Sequence, residues 1–289
     1  MGEWGVAERV DVAGGQVLGV RRVGVGGGVP LVLLHGFPVG AGVWARCAAG
    51  LARAGFEVVA PDLRGYGESR PAAGGFYDVA AMSGDVAGLC DGLGWRRVVV
   101  AAFGLGARVA VDLANRHGAR VDRLVLMNHW PGGDGGEPEV FGEMGRHSAA
   151  LLHRLGDGAG RVGFVSGFLG GERGWCPEGA FGPEDVEGFC GEYADADRLA
   201  GLFGAFQAAS GARESSGPGV GERVVRQPVF VMAGDADGSL APDFAERCGT
   251  AYPEVVGPFL VPGAGHFLPW ERPVVVERAI ASFCADLRG

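Results

Sequence analysis

The chain has 289 residues, 47% of them hydrophobic, which is enough for one large α/β domain with an insertion or for two small domains. Net charge is −9 and every basic residue is Arg, so neither nucleic acid nor an anionic membrane is an expected partner. No apolar run approaches the ~20 residues of a bilayer span. The start, Met1-Gly2-Glu3-Trp4, carries neither a basic-then-apolar leader nor a myristoylation context. Six scattered cysteines without CxxC spacing point to a reducing, cytoplasmic setting, with a Cys176–Cys190 bridge left open. The 56 glycines, the absence of Lys and the single Ile280 read as a GC-rich codon bias rather than a functional signal.

In chain order, residues 5–12 and 16–23 flank Gly14-Gly15 and predict an opening β-hairpin, and Gly26-Gly27-Gly28 predicts a turn. Continuous apolar runs predict strands buried on both faces at Leu31–Leu34, Val58–Ala60, Val98–Ala102, Leu124–Met127, Val229–Ala233 and Phe259–Val261. Helical periodicity fills 42–54, 78–92, 105–117, 242–252 and 273–287 between them. This alternation predicts an α/β fold with a mostly parallel, doubly wound sheet. It breaks between Pro131 and Gly221, where helix-like stretches at 139–155, 160–169, 184–193 and 195–209 lie between glycine-rich linkers. The expected division is a core of 1–130 plus 222–289 and a helical cap of 131–221.

Five motifs follow the predicted strands in order. They are His35-Gly36-Phe37-Pro38, Asp62-Leu63-Arg64-Gly65-Tyr66-Gly67-Glu68-Ser69, Ala102-Phe103-Gly104-Leu105-Gly106-Ala107, Gly234-Asp235-Ala236-Asp237 and Gly263-Ala264-Gly265-His266-Phe267. In these motifs and their strand contexts the chain resembles the α/β-hydrolase family, specifically its epoxide-hydrolase-like branch with a helical lid. The resemblance implies that the strand-to-helix turn Ala102–Gly106 is the elbow that carries the nucleophile. Here Gly104 occupies that position.

The rest of the expected machinery follows by resemblance. His266 would be the base and Asp237, preferred over Asp235, the acid that orients it. The backbone N–H groups of Phe37 and Leu105 would form the oxyanion hole. His35, Phe103, Asn128, His129, Trp130, Trp175 and Tyr193 are the expected substrate contacts. Phe141, Met144, Phe181, Phe203 and Phe206 are further candidates from the cap. Asp62 and Arg64 read as a structural pair, Trp44 as core, and His117, His147 and His153 as surface. No metal or cofactor is expected, because no His/Cys/Asp cluster has ligand spacing.

Without a side-chain nucleophile, three readings stand. The first is an enzyme using His/Asp acid–base catalysis on a small apolar, aromatic or polyketide-like substrate. Its reaction would be hydrolysis by activated water, hydration or elimination, C–C cleavage, or cyclisation. The second is a ligand-binding pseudoenzyme; under any reading the chain is expected to be a monomer or homodimer. The third is an epoxide hydrolase or esterase disabled by a deliberate nucleophile-to-glycine change. Ser69 and Ser148 are weak stand-ins for the nucleophile, since neither sits on an elbow. Only Tyr193 is available in the cap, where the resemblance calls for a tyrosine pair to activate an epoxide.

Overall fold

The computed structural model describes residues 4–24, 26–131, 139–170, 174–217 and 224–288, with no side-chain description at 139 and 140. The expected opening linker beyond Pro131, the end of the closing one from 218 and the expected boundary at 221/222 lie outside those residues. Eight strands form one sheet: β1 (Glu8–Asp11), β2 (Val17–Val23), β3 (Val29–Leu34), β4 (Phe56–Pro61), β5 (Val98–Phe103), β6 (Val121–Met127), β7 (Val229–Gly234) and β8 (Val255–Val261). Their order is β1-β2-β4-β3-β5-β6-β7-β8. β2 runs antiparallel to β1 and β4, and the remaining pairs are parallel.

The helices of the core are α1 (Ala45–Arg53), α2 (Val79–Gly92) and α3 (Leu105–Arg116). Five follow β6: α4 (Glu139–Arg146), α5 (Ser148–Leu155), α6 (Gly158–Leu169), α7 (Pro183–Cys190) and α8 (Ala196–Ala209). After β7 come α9 (Phe244–Ala251), α10 (Leu268–Glu271) and α11 (Pro273–Phe283). Local chemistry sets several starts. Asp78, Asp157 and Asp195 each accept an N–H of the first turn of α2, α6 and α8. Pro183 opens α7, where its missing N–H costs nothing.

β5 is buried along its whole length, and β3 and β6 at their site-facing ends, as their apolar runs predict. β8 departs from that expectation. It is the sheet edge, with Phe259 50% and Leu260 59% exposed. An apolar run does not reveal whether a second strand will cover it. The stretch expected as one helix over 139–155 is two, broken at His147 (φ −116°, ψ 17°). Cys176 and Cys190 are both buried thiols rather than a bridge. Among the described residues no helix is long and apolar enough to cross a membrane.

Parallel pairing brings the C-terminal ends of β3, β5, β6 and β7 level, with Leu34 opposite Ala102, Phe103 opposite Met127 and Met127 opposite Met232. The loops that leave this end carry the motifs of the sequence. Crevices outside the carboxyl ends of parallel strands are where such sheets bind ligands.

Candidate active site

The turn from β5 into α3 is made at Gly104, with φ +53° and ψ −124°. That conformation strains any residue with a side chain. The Gly104 N–H is shared between the carbonyls of Met127 (3.2 Å) and Asn128 (3.1 Å). Two residues on, Gly106 lets α3 pass so close to β3 that a Cβ would collide with the His35 carbonyl. A Cβ at residue 104 would point at His266, 3.1 Å from its Nε2 and 3.6 Å from Gly36 Cα.

His266 Nδ1 lies 2.9 Å from Asp237 Oδ2, and both side chains are buried. A carboxylate partner makes Nδ1 the protonated nitrogen, so Nε2 presents its lone pair toward Gly104. Asp237 Oδ1 accepts from the Ser239 N–H (2.9 Å) and hydroxyl (2.6 Å), and Oδ2 also accepts from Asn128 Nδ2 (2.8 Å). Burial pushes the Asp237 pKa up. The His266 charge and the hydrogen bonds from His266, Ser239 and Asn128 outweigh it and leave the pKa below the ordinary carboxylate value. Asp235 is exposed and accepts from the Gly263 N–H, so it does not orient the imidazole. Glu271 accepts from the N–H groups of Gly265 (2.7 Å) and Phe267 (2.9 Å) and so grips the backbone on both sides of His266.

A narrow cavity lies beside His266 and Leu105, next to the turn at Gly104. It is lined by Phe37, Leu105, Arg108, Trp130, Phe141, Trp175, Phe206 and His266. Its free interior, about 10 Å³, is at most the space of one ordered water. The walls are mostly ring faces, with Phe141 and Phe206 stacked at 4.5 Å. Phe37 and Leu105, the residues whose backbone N–H groups are expected to hold an oxyanion, both line this space.

Five expected substrate contacts do not line the cavity, and each has another task. His35 Nε2 accepts from the Leu63 N–H (2.8 Å) and braces the loop after β3. Phe103 is fully buried behind the elbow against Trp44 and Phe267. Asn128 holds Asp237 and the Gly265 carbonyl (3.2 Å) and is the one non-glycine residue with positive φ among those described, +42°. His129 turns away to the Tyr252 hydroxyl (2.8 Å), and burial lowers its pKa to about 3. Tyr193 donates to the Pro38 carbonyl (2.9 Å).

Of the other cap candidates, Phe181 packs on Trp270 and Phe203 on Phe164. Met144 is buried in the hydrophobic core and does not line this cavity. Asp62 and Arg64 are structural but do not pair with each other. Asp62 accepts from the Ala41 and Glu68 N–H groups, and Arg64 forks onto Asp85 at 2.7 Å. Ser69 bonds the Asp62 carbonyl and Ser148 accepts from Gln207, so both hydroxyls are engaged elsewhere. Arg108 was missed by sequence reasoning. Its position one turn into a helix that starts at the elbow was the available signal. Among the described residues no cluster of three His, Cys, Asp or Glu could hold a metal ion.

The sheet order, the elbow and the loops that carry Asp237 and His266 define the α/β-hydrolase fold. Comparison with known proteins agrees. The family model described as the alpha/beta hydrolase fold matches residues 29–158. Epoxide hydrolase A of Mycobacterium tuberculosis is 27% identical over 321 aligned positions, covering 97% of this chain and 98% of that one. Among solved structures, a thermophilic esterase from Thermogutta terrifontis superposes with a TM-score of 0.77 at 26% identity, over 98% of this chain and 100% of that one. The epoxide hydrolase CorEH gives 0.74 at 27%, over 98% and 99%.

Proposed function

We propose that this chain is an enzyme that acts on a small apolar, ring-bearing substrate through His266, and never forms a side-chain bond to it. One observation carries the reading: Nε2 of a base seated on Asp237 faces the 104 position, and glycine there brings no side chain to it. In this reading residues 131–221 form a lid over the core. A water or substrate proton above Gly104 passes to Nε2, a step worth about 10²–10⁴ in rate. Charge that develops on the substrate oxygen meets the Phe37 and Leu105 N–H groups and the N-terminus of α3. One such donor contributes about 2.7–4 kcal/mol.

Hydrolysis by activated water, hydration or elimination, C–C cleavage and cyclisation all need only these parts. The ring-lined cavity supports an apolar, flat substrate, of the aromatic or polyketide-like kind, and six buried thiols support a reducing cytoplasm. Epoxide opening by a tyrosine pair fits less well, because the Tyr193 hydroxyl is spent on Pro38.

The test is His266→Ala against a panel of aromatic esters, epoxides and β-hydroxy ketones. Turnover of the best substrate should fall at least about 10²-fold while its affinity stays within about tenfold. Unchanged turnover would sink the reading, and binding without any turnover in the parent chain would favour the pseudoenzyme.

A further inference from the structure

The helical insertion reaches the base through its backbone as well as its rings. The His266 N–H donates to the Trp175 carbonyl at 2.6 Å, and the Gly238 N–H, next to Asp237, donates to the Gly174 carbonyl at 2.7 Å. Gly265 must lack a side chain for this contact, since a Cβ would collide with the Trp175 carbonyl. The segment is anchored in turn by Cys176 Sγ on the Leu169 carbonyl (3.1 Å). The Trp175 indole then lies 4.7 Å from the imidazole, tilted by 41°, and forms part of the cavity wall.

We propose that Trp175 is a positioning residue for His266, through which filling of the cavity is transmitted to the base. This rests on the reading of His266 as the base. The imidazole has two partners for Nδ1, Asp237 Oδ2 at 2.9 Å and Ser239 Oγ at 3.3 Å. The indole packed against the ring, 4.7 Å away, is one of the walls that hold the imidazole in the position where it meets both. The cavity has room for at most about one water, so a substrate must shift the rings that wall it. Of those rings, Trp175 belongs to the residue bonded to the base through its own backbone. A substrate that reseats the indole therefore reseats His266.

The test uses two readouts that need no substrate. The first is the low-field proton resonance of His266 Nδ1–H, assigned by its loss in His266→Ala and followed in Trp175→Phe and Trp175→Leu. The Phe variant should keep the signal. The Leu variant should lose it or show exchange with water at least about tenfold faster. A sharp signal in both variants overturns the proposal.

The second readout is amide exchange in the unaltered chain, which no folding defect can obscure. The His266 and Gly238 amides should exchange with those of α6, at least about tenfold faster than strand amides such as that of Val100. Exchange as slow as the strands overturns the proposal. If His266→Ala keeps full turnover while both readouts come out as expected, the positioning stands and the catalytic reading fails. The reverse pattern fails the positioning alone.

Discussion

Placing a methyl group at residue 104 tests the elbow itself. Gly104 has φ +53°, where a side chain costs about 1–3 kcal/mol, and its Cβ would stand 3.1 Å from His266 Nε2. Against this, Gly→Ala lowers the entropy of the unfolded chain and stabilises by about 0.4–1 kcal/mol. The strain wins, and Gly104→Ala should destabilise by about 0.5–2.5 kcal/mol, lowering Tm by about 1–5 °C in a chain of this size. Urea denaturation with a thermal melt reads both. Gly84, inside α2 with nothing within 4 Å of an added Cβ, is the control, and Gly84→Ala should stabilise by about 0.5–1 kcal/mol. If Gly104→Ala matches the control, the backbone is not held as described and the argument from the elbow collapses. Gly104→Ser should carry the same penalty without raising the native rate.

Two further expectations concern buried charge. Arg64 forks onto Asp85 and also bonds the carbonyls of Phe76 and Ala81, so Arg64→Met strands a buried carboxylate and should cost about 3–5 kcal/mol in urea unfolding. An effect under about 1 kcal/mol would refute that. His129 is neutral in the fold down to about pH 3 because it is buried, whereas the unfolded chain protonates it near its ordinary value of 6.5. The unfolded state therefore binds more protons between those values. Stability contributed by His129 is complete above about pH 6.5 and declines as pH falls, by up to about 1.4 kcal/mol per unit. His129→Gln, compared with the parent by urea titration at about pH 7, 5.5 and 4.5, should flatten this slope. Parallel slopes would show that His129 is not the group responsible.

Strand runs, the elbow and the order of the motifs were legible because each is a local pattern: β5 and the start of α3 lie where periodicity puts them. The aim of individual side chains was not. Asn128, His129 and Trp130 follow β6 in succession and read alike as cavity residues. The positive φ at Asn128 breaks the strand alternation at that point. Asn128 then holds Asp237, His129 turns to Tyr252, and of the three Trp130 alone reaches the cavity. Tyr193 and Glu271 are decided by partners far along the chain or by loop closure, which no window of sequence displays. Trp175 was visible as an aromatic of the insertion, but the bond from His266 to its carbonyl exists only once the insertion is folded back.

The central claim is that no side chain ever bonds to the substrate. Rapid acid quench of a single turnover, followed by intact-mass measurement of the chain, tests it directly. The account predicts the unmodified mass at every time point, with product oxygen drawn from labelled water in the first turnover wherever the reaction is a hydrolysis. A transient mass increase that maps to any hydroxyl, thiol or carboxylate near His266 would contradict it.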